Sequence, residues 1–166
     1  MMNNQDYTKR MDILTEKRNA KISDYMHKSS RKIISFCIEY DIHTIIIGKN
    51  SEWKQNSKLS KKVNQHFVQI PFARFIEMIQ YKAEECGIAV ILTEESYTSG
   101  TSFIDNELPT KENYNKSRRV YRGLFKSNSG TLINADLNGA YQIIKKVFPI
   151  KWDSGCALHP IVVNIA

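Results

Sequence analysis

Three segments of the chain repeat apolar residues at helical spacing, and two short runs between them are continuously apolar. From 19 to 41, Ile22, Tyr25, Met26, Ile33, Phe36, Cys37 and Tyr40 recur every three or four residues, which predicts a long amphipathic helix. "HTIIIG" follows and ends at Gly48; its β-branched run predicts a short strand in a sheet covered on both faces. In "IPFARFIEMIQYKAEECG", the residues Phe72, Phe75, Ile76, Ile79, Ala83 and Cys86 form one stripe, with Pro71 suited to a first turn and Gly87 to a stop. "IAVIL" (88–92) predicts a second buried strand, and strand, helix, strand in this order predicts parallel pairing with a right-handed crossover. A final helix is expected over 135–148, with Leu137, Ala140, Tyr141, Ile144, Val147 and Phe148 on its face and Pro149 as its stop.

The remaining sequence lacks periodicity. Residues 49–66 read as a polar loop, and 96–132 as an irregular segment punctuated by Gly100, Pro109, Gly123 and Gly130. Unstructured stretches of that length are uncommon in a compact domain and tend to be functional or mobile. The tail, containing "GCALHPIVVNIA", offers at most an edge strand, and there is no internal repeat.

Composition narrows the class. At 166 residues, with 42% hydrophobic and 25% charged positions, the chain has the make-up of one ordinary globular domain. No apolar run approaches a membrane span, and "MMNNQDYTKRMD" has no apolar region like that of a signal peptide, so a cytosolic protein with no membrane partner is expected. Cys37, Cys86 and Cys156 are odd in number and never spaced as CxxC, and the four histidines are scattered, so reduced thiols and no zinc are expected. The net charge of +7 is concentrated in 9–21, 49–62 and 111–126. In the last of these, Tyr114, Tyr121 and Phe125 lie among the basic residues, a pattern suited to backbone phosphates and unpaired bases. The candidate nucleic-acid contacts are Lys49, Lys54, Lys58, Lys61, Lys62, Lys116, Arg118, Arg119, Arg122 and Lys126.

Sites in open parallel sheets form beyond the carboxyl ends of the strands, where Gly48 and the pair Glu94–Glu95 fall. Asp136, near the head of the last helix, could approach the same edge. Its position suits a helix dipole as readily as a metal, and spacing alone leaves both roles open.

The order "TIIIGKN…WKQ", "NQHFVQIPFARFIEMIQYKAEECGI", "ILTEESYTS" and "GTLINADLNGAYQI" resembles the C-terminal half of transposon-associated TnpB proteins, RNA-guided DNA nucleases related to the miniature type V CRISPR effectors. The resemblance covers about residue 20 to "VFP" at 147–149. It implies a RuvC-like nuclease domain of the RNase H fold with three metal-binding acids, Mg²⁺ as cofactor, and DNA and guide RNA as partners. The family's last acid matches Asp136.

The sequence departs from the commoner family pattern in three ways. Gly48 stands where the middle glutamate usually ends its strand; in one branch of the family that acid precedes the "YTS" motif instead, which matches Glu95 in preference to Glu94. The four cysteines of the family's zinc insert are missing from 96–132, with Ser102 near the place of the first, so no zinc is expected and the insert must be held by its own packing (Phe103, Ile104, Leu108, Val120, Leu124) or by nucleic acid. No apolar strand carries an upstream Asp-x-Gly, since Asp6, Asp12 and Asp24 lie in polar or helical sequence.

The expected architecture is therefore α/β: a partial RuvC-like, RNase H-like fold lacking its first strands, with long helices and an irregular insert. A basic leader (1–18), the partial domain (19–149) and a C-terminal tail (150–166) divide the chain. The expected function is that of a DNA-binding C-terminal fragment of such an endonuclease, inactive alone for want of the first aspartate. A non-catalytic DNA- or RNA-binding module, or one half of a split nuclease with a separate N-terminal half, are the alternatives.

Overall fold

The computed structural model describes residues 8–50 and 71–165. In chain order the elements are α1 (Lys9–Glu39), β1 (Thr44–Gly48), α2 (Phe72–Glu84), β2 (Ala89–Thr93), a 3-10 turn (Lys116–Arg118), β3 (Arg119–Tyr121), β4 (Leu124–Lys126), β5 (Leu132–Asn134) and α3 (Ala135–Lys145). They fall into two compact units. The helical unit comprises Met1–His43, Ile70–Ala89 and Asn164–Ala166, and the sheet unit comprises Thr44–Gln69 and Val90–Val163. No helix among the described residues is long and apolar enough to cross a membrane.

In the helical unit, α1 packs against α2. Met26, Ile34 and Cys37 of the first helix and Ile76, Ile79 and Ala83 of the second are buried. Of the expected α1 stripe, Met26 and Cys37 are buried while Tyr25, Phe36 and Tyr40 are exposed, and Ile34 lies outside it; of the α2 stripe, Ile76, Ile79 and Ala83 are buried and Cys86 is exposed. Helix α1 starts ten residues earlier than its stripe, at Lys9, because Thr8 caps it by accepting from the Met11 N–H at 3.3 Å. Residues 9–18, expected as a leader, are thus the first turns of α1. Good helix formers carry it there although they bury nothing. At the other end, Gly87 adopts φ 70° after α2, and the Ile88 N–H returns to the Ala83 carbonyl at 2.9 Å. A left-handed glycine closing a helix in this way explains the abrupt turn into β2.

Along the β1–β2 pair, the Ala89 N–H donates to the His43 carbonyl at 2.9 Å and the Lys49 N–H to the Thr93 carbonyl at 2.7 Å. Both partners advance together, so β1 and β2 run parallel, as the strand–helix–strand order predicts. A second sheet is antiparallel in the order β3–β4–β5, with Phe125 opposite Ile133. Its first two strands lie inside 96–132, where no periodicity is visible, because three residues are too few to display one.

The core of the sheet unit is Ile104, Phe125, Ile133 and Ala135, with Tyr141, Trp152 and Leu158 against it. Phe103 is fully buried, stacked on Tyr141 at 4.6 Å between ring centres and edge-on to Trp152 at 6.4 Å. The tail as far as Leu158 therefore packs as irregular chain, while Ile161 and Val162 are exposed. Its Leu158 carbonyl accepts from the Asn134 N–H at 3.0 Å, and its Ala157 N–H donates to the Tyr141 hydroxyl at 3.0 Å. Helix α3 ends at Lys145, three residues before the apolar pattern does.

Candidate metal edge and nucleic-acid interface

Glu95 fills the space beside the end of β1. A Cβ placed on Gly48 would lie 3.0 Å from the Glu95 Cβ, 3.3 Å from Glu95 Oε2 and 2.7 Å from the Ile143 Cδ1. The side chain that position 48 lacks is thus replaced by a carboxylate arriving from just beyond the adjacent strand. Asn50 steadies it, its amide donating to Glu95 Oε1 at 3.3 Å. Glu94 turns elsewhere: its carboxylate is 66% exposed and 3.9 Å from the Lys146 ammonium. Alternation of side chains along extended backbone accounts for the different directions.

Asp136 lies in the first turn of α3, but the cap is Asn134. The Asn134 side-chain oxygen accepts from the N–H groups of Asp136 and Leu137, both at 3.0 Å. The Asp136 carboxylate is 87% exposed and lies 3.5 Å from the Arg119 guanidinium. Seven residues, two helical turns, separate Asp136 from Ile143, so both lie on one face of α3, about 10 Å apart along the axis.

The donor types suit a hard divalent cation, but the arrangement does not close around one. Glu95 and Asp136 supply carboxylate oxygens, which Mg²⁺ favours. The first is already bonded to an amide, and the second faces a cation. Among the described residues no three acidic, histidine or cysteine side chains are grouped as a metal site. The described residues therefore do not form a metal centre by themselves.

The basic candidates divide sharply. Arg118 is turned inward: its side chain is 14% exposed, and both terminal nitrogens of its guanidinium bond the Glu107 carboxylate, Nη2 to Oε1 at 2.8 Å. It is not free for a phosphate, which corrects its assignment as a nucleic-acid contact. Burial alone raises the Glu107 carboxyl, but the Arg118 guanidinium and the Ser102 N–H more than offset this and hold it below the ordinary glutamate range. Lys49, Lys116, Arg119, Arg122 and Lys126 are exposed. Lys54, Lys58, Lys61 and Lys62 lie outside the described residues.

The aromatics divide as well. Phe125 is in the core, and Tyr114 packs edge-on to Tyr97 at 5.8 Å, with its ring where a side chain on Gly100 would have to go. Neither can stack on a base. Tyr121, at 65% exposure, can: it ends the edge strand β3, between Arg119 and Arg122. Gly123, at φ 87°, allows the tight turn that projects Arg122.

Residues 72–143 match the family model of the Cas12f1-like TNB domain. A chain in a cryo-EM structure of a Cas12f1–sgRNA–target DNA complex superposes with a TM-score of 0.65 over 81% of the present chain, at 22% identity. The segment 72–143 is Cas12f1-TNB-like. The chain spans about a third of its structural neighbour, 36% of that chain. A search of curated proteins finds no match. The matched segment runs from α2 through Glu95, the insert and Asp136 to Ile143, so both acids and the β3–β4 edge fall inside it.

The insert is closed by hydrogen bonds. Glu107 accepts from Arg118, from the Ser102 N–H at 2.9 Å and from the Asn128 amide at 3.2 Å, while Asp105 accepts from the Asn128 N–H at 2.7 Å. These bonds tie the 102–107 turn to the β4–β5 turn. Of the five residues expected to pack the insert, Phe103 and Ile104 are buried and Leu124 is half-buried, whereas Leu108 and Val120 are exposed.

Sequence reasoning missed Asn138 and Gln142, fully buried on the face of α3 opposite its apolar stripe. Asn138 accepts from the Phe103 N–H at 3.0 Å and donates to the Thr101 carbonyl at 2.8 Å, and Gln142 donates to the Glu107 carbonyl at 3.3 Å. Their one sequence signal is an i, i+4 pair of amides in a helix flanked by an aperiodic segment whose backbone needs partners.

Proposed function

We propose that the chain is a nucleic-acid-binding part of a TnpB-like, RNA-guided DNA nuclease, with DNA and guide RNA as partners. The observation that carries this reading is the position of an exposed basic–aromatic edge inside the segment matched by the Cas12f1-like TNB domain model. Arg119, Arg122, Lys126 and Lys116 contact backbone phosphates, and Tyr121 stacks on an unpaired base. Lys49 extends the surface beyond β1. Support for the partners comes from the neighbour's structure, which holds an sgRNA and target DNA.

Glu95 and Asp136 are, on this reading, two acids of the RuvC-like edge. Glu95 serves there for the glutamate that Gly48 cannot provide, and a further acid comes from another segment or chain. The 166 residues alone bind but do not cut. A labelled single-stranded DNA of twenty nucleotides tests both statements. Arg119→Glu with Arg122→Glu should weaken binding at least tenfold, while Glu95→Ala and Asp136→Ala bind as the unaltered chain does. Cleavage in Mg²⁺ or Mn²⁺ that Asp136→Ala abolishes would overturn the claim that the chain alone is inactive. Equal affinity of the charge-reversed variant would overturn the assigned surface.

A further inference from the structure

The helical unit carries a basic cleft that the nuclease edge does not use. It encloses about 580 Å³ between the C-terminal half of α1 and the end of α2, and Lys28, Arg31, Lys32, Tyr81 and Lys82 line it. That volume lies within the range of ligand sites.

Its floor is a buried cation. Lys82 is only 4% exposed, and its ammonium is fixed by donating to the Ser30 hydroxyl at 2.6 Å and the His27 carbonyl at 2.9 Å. Both acceptors are neutral. Among the described residues, no carboxylate lies within ion-pair distance of Lys82, Arg31 or Lys32, and Lys28 alone has one, Asp24 at 3.2 Å. Burial disfavours the Lys82 charge and Arg31 nearby adds repulsion, which Glu85 offsets only in part, so the ammonium is held below the ordinary lysine range. An anion entering the cleft relieves both. At its wall, Tyr81 is 43% exposed, with an aromatic face within reach of whatever the cations hold.

We propose that this cleft is a second site for single-stranded nucleic acid, in which Arg31, Lys32 and Lys28 hold backbone phosphates above Lys82 and Tyr81 stacks a base. Phosphate chemistry alone would suit a free phosphate equally; the exposed aromatic beside the cations favours a strand. The site lies in a different unit from β3–β4, so the two surfaces succeed or fail separately.

The test uses the full chain and a twenty-nucleotide oligothymidine bearing photoreactive thymines, with inorganic pyrophosphate as a separate probe. Irradiation should cross-link the strand to the peptide containing Tyr81, in the unaltered chain and equally in the Arg119→Glu, Arg122→Glu variant. In that variant background, Tyr81→Ala should lower affinity at least about fivefold, the low end of what one stacked base contributes. Arg31→Gln with Lys32→Gln should reduce the slope of log affinity against log salt by about 1.4, the loss of two single-strand phosphate contacts. All three residues are exposed, so folding is unaffected. No cross-link at Tyr81 together with unchanged affinity would overturn the proposal. So would pyrophosphate shielding Lys28 and Lys32 from acetylation while oligothymidine does not, which would make the cleft a site for free phosphate.

Discussion

Breaking the Glu107–Arg118 pair should unlock the insert, and the size of the effect separates a clasp from a surface ion pair. Exposed pairs are worth about 0–1 kcal/mol. This one is different: the two side chains are 15% and 14% exposed, and Glu107 collects four hydrogen bonds from three residues. Glu107→Ala strands the Arg118 charge in a part-buried position, so the loss should fall at the low end of the roughly 3–5 kcal/mol of a fully buried pair, about 3 kcal/mol. Arg118→Met leaves Glu107 with two of its donors and should cost less, about 2–3 kcal/mol. The double variant, Glu107→Ala with Arg118→Met, leaves no unpaired charge, so its loss should fall short of the sum by about 2 kcal/mol. Urea unfolding followed by Trp152 fluorescence in a Trp53→Phe background measures this, because Trp152 packs on Phe103 one residue from Ser102. Chelator should leave the curves unchanged. Additive losses, or single variants within about 0.5 kcal/mol of the parent, would refute the clasp.

The same carboxyl sets a pH dependence. Its folded-state value is depressed, so its stabilisation is complete above the ordinary glutamate value of about 4.3 and is lost as pH falls through the folded value beneath it. The thermal midpoint should therefore decline at acid pH, and Glu107→Gln should flatten that decline. Asn138→Ala leaves the Phe103 N–H and the Thr101 carbonyl buried without partners and should cost about 2–5 kcal/mol, read by chemical denaturation; a loss under 1 kcal/mol would show that water replaces the amide. Gly48→Ala should cost about 1–3 kcal/mol by crowding the Ile143 Cδ1 and the Glu95 Cβ, and Glu95→Gly should recover the Glu95 share of it. No recovery would separate Glu95 from the end of β1.

Local sequence carried the elements whose periods run long enough to be seen. The α2 stripe buries Ile76, Ile79 and Ala83, the α1 stripe only Met26 and Cys37, and the β-branched "TIIIG" and "IAVIL" pair in parallel. Gly87 ends α2 where its backbone freedom is needed. Less legible was whatever depends on distant partners. Strands of three residues in the insert show no alternation, and they exist because Phe125 and Ile133 meet Ile104 and Ala135 in one core. The polar face of α3 looks solvated until the insert's backbone is laid on it. Charge was the coarsest guide: Arg118 and Arg119 are neighbours in sequence, yet the first is turned inward, half-buried on Glu107, and the second is at the surface beside Asp136. An aromatic among basic residues was equally ambiguous, since Phe125 belongs to the core and Tyr121 to the surface.

The central claim is that the β3–β4 edge holds a nucleic-acid strand through its phosphates, and the salt dependence of binding measures that directly. Affinity for a single-stranded oligonucleotide should fall linearly with rising salt on logarithmic axes, with a slope of about −0.7 for each phosphate neutralised. Replacing Arg119, Arg122 and Lys126 with glutamine should make that slope shallower by about 2, while Glu94→Gln and Asp153→Asn leave it unmoved. A slope unchanged by the three replacements would contradict the account, whatever happened to the affinity at one salt concentration.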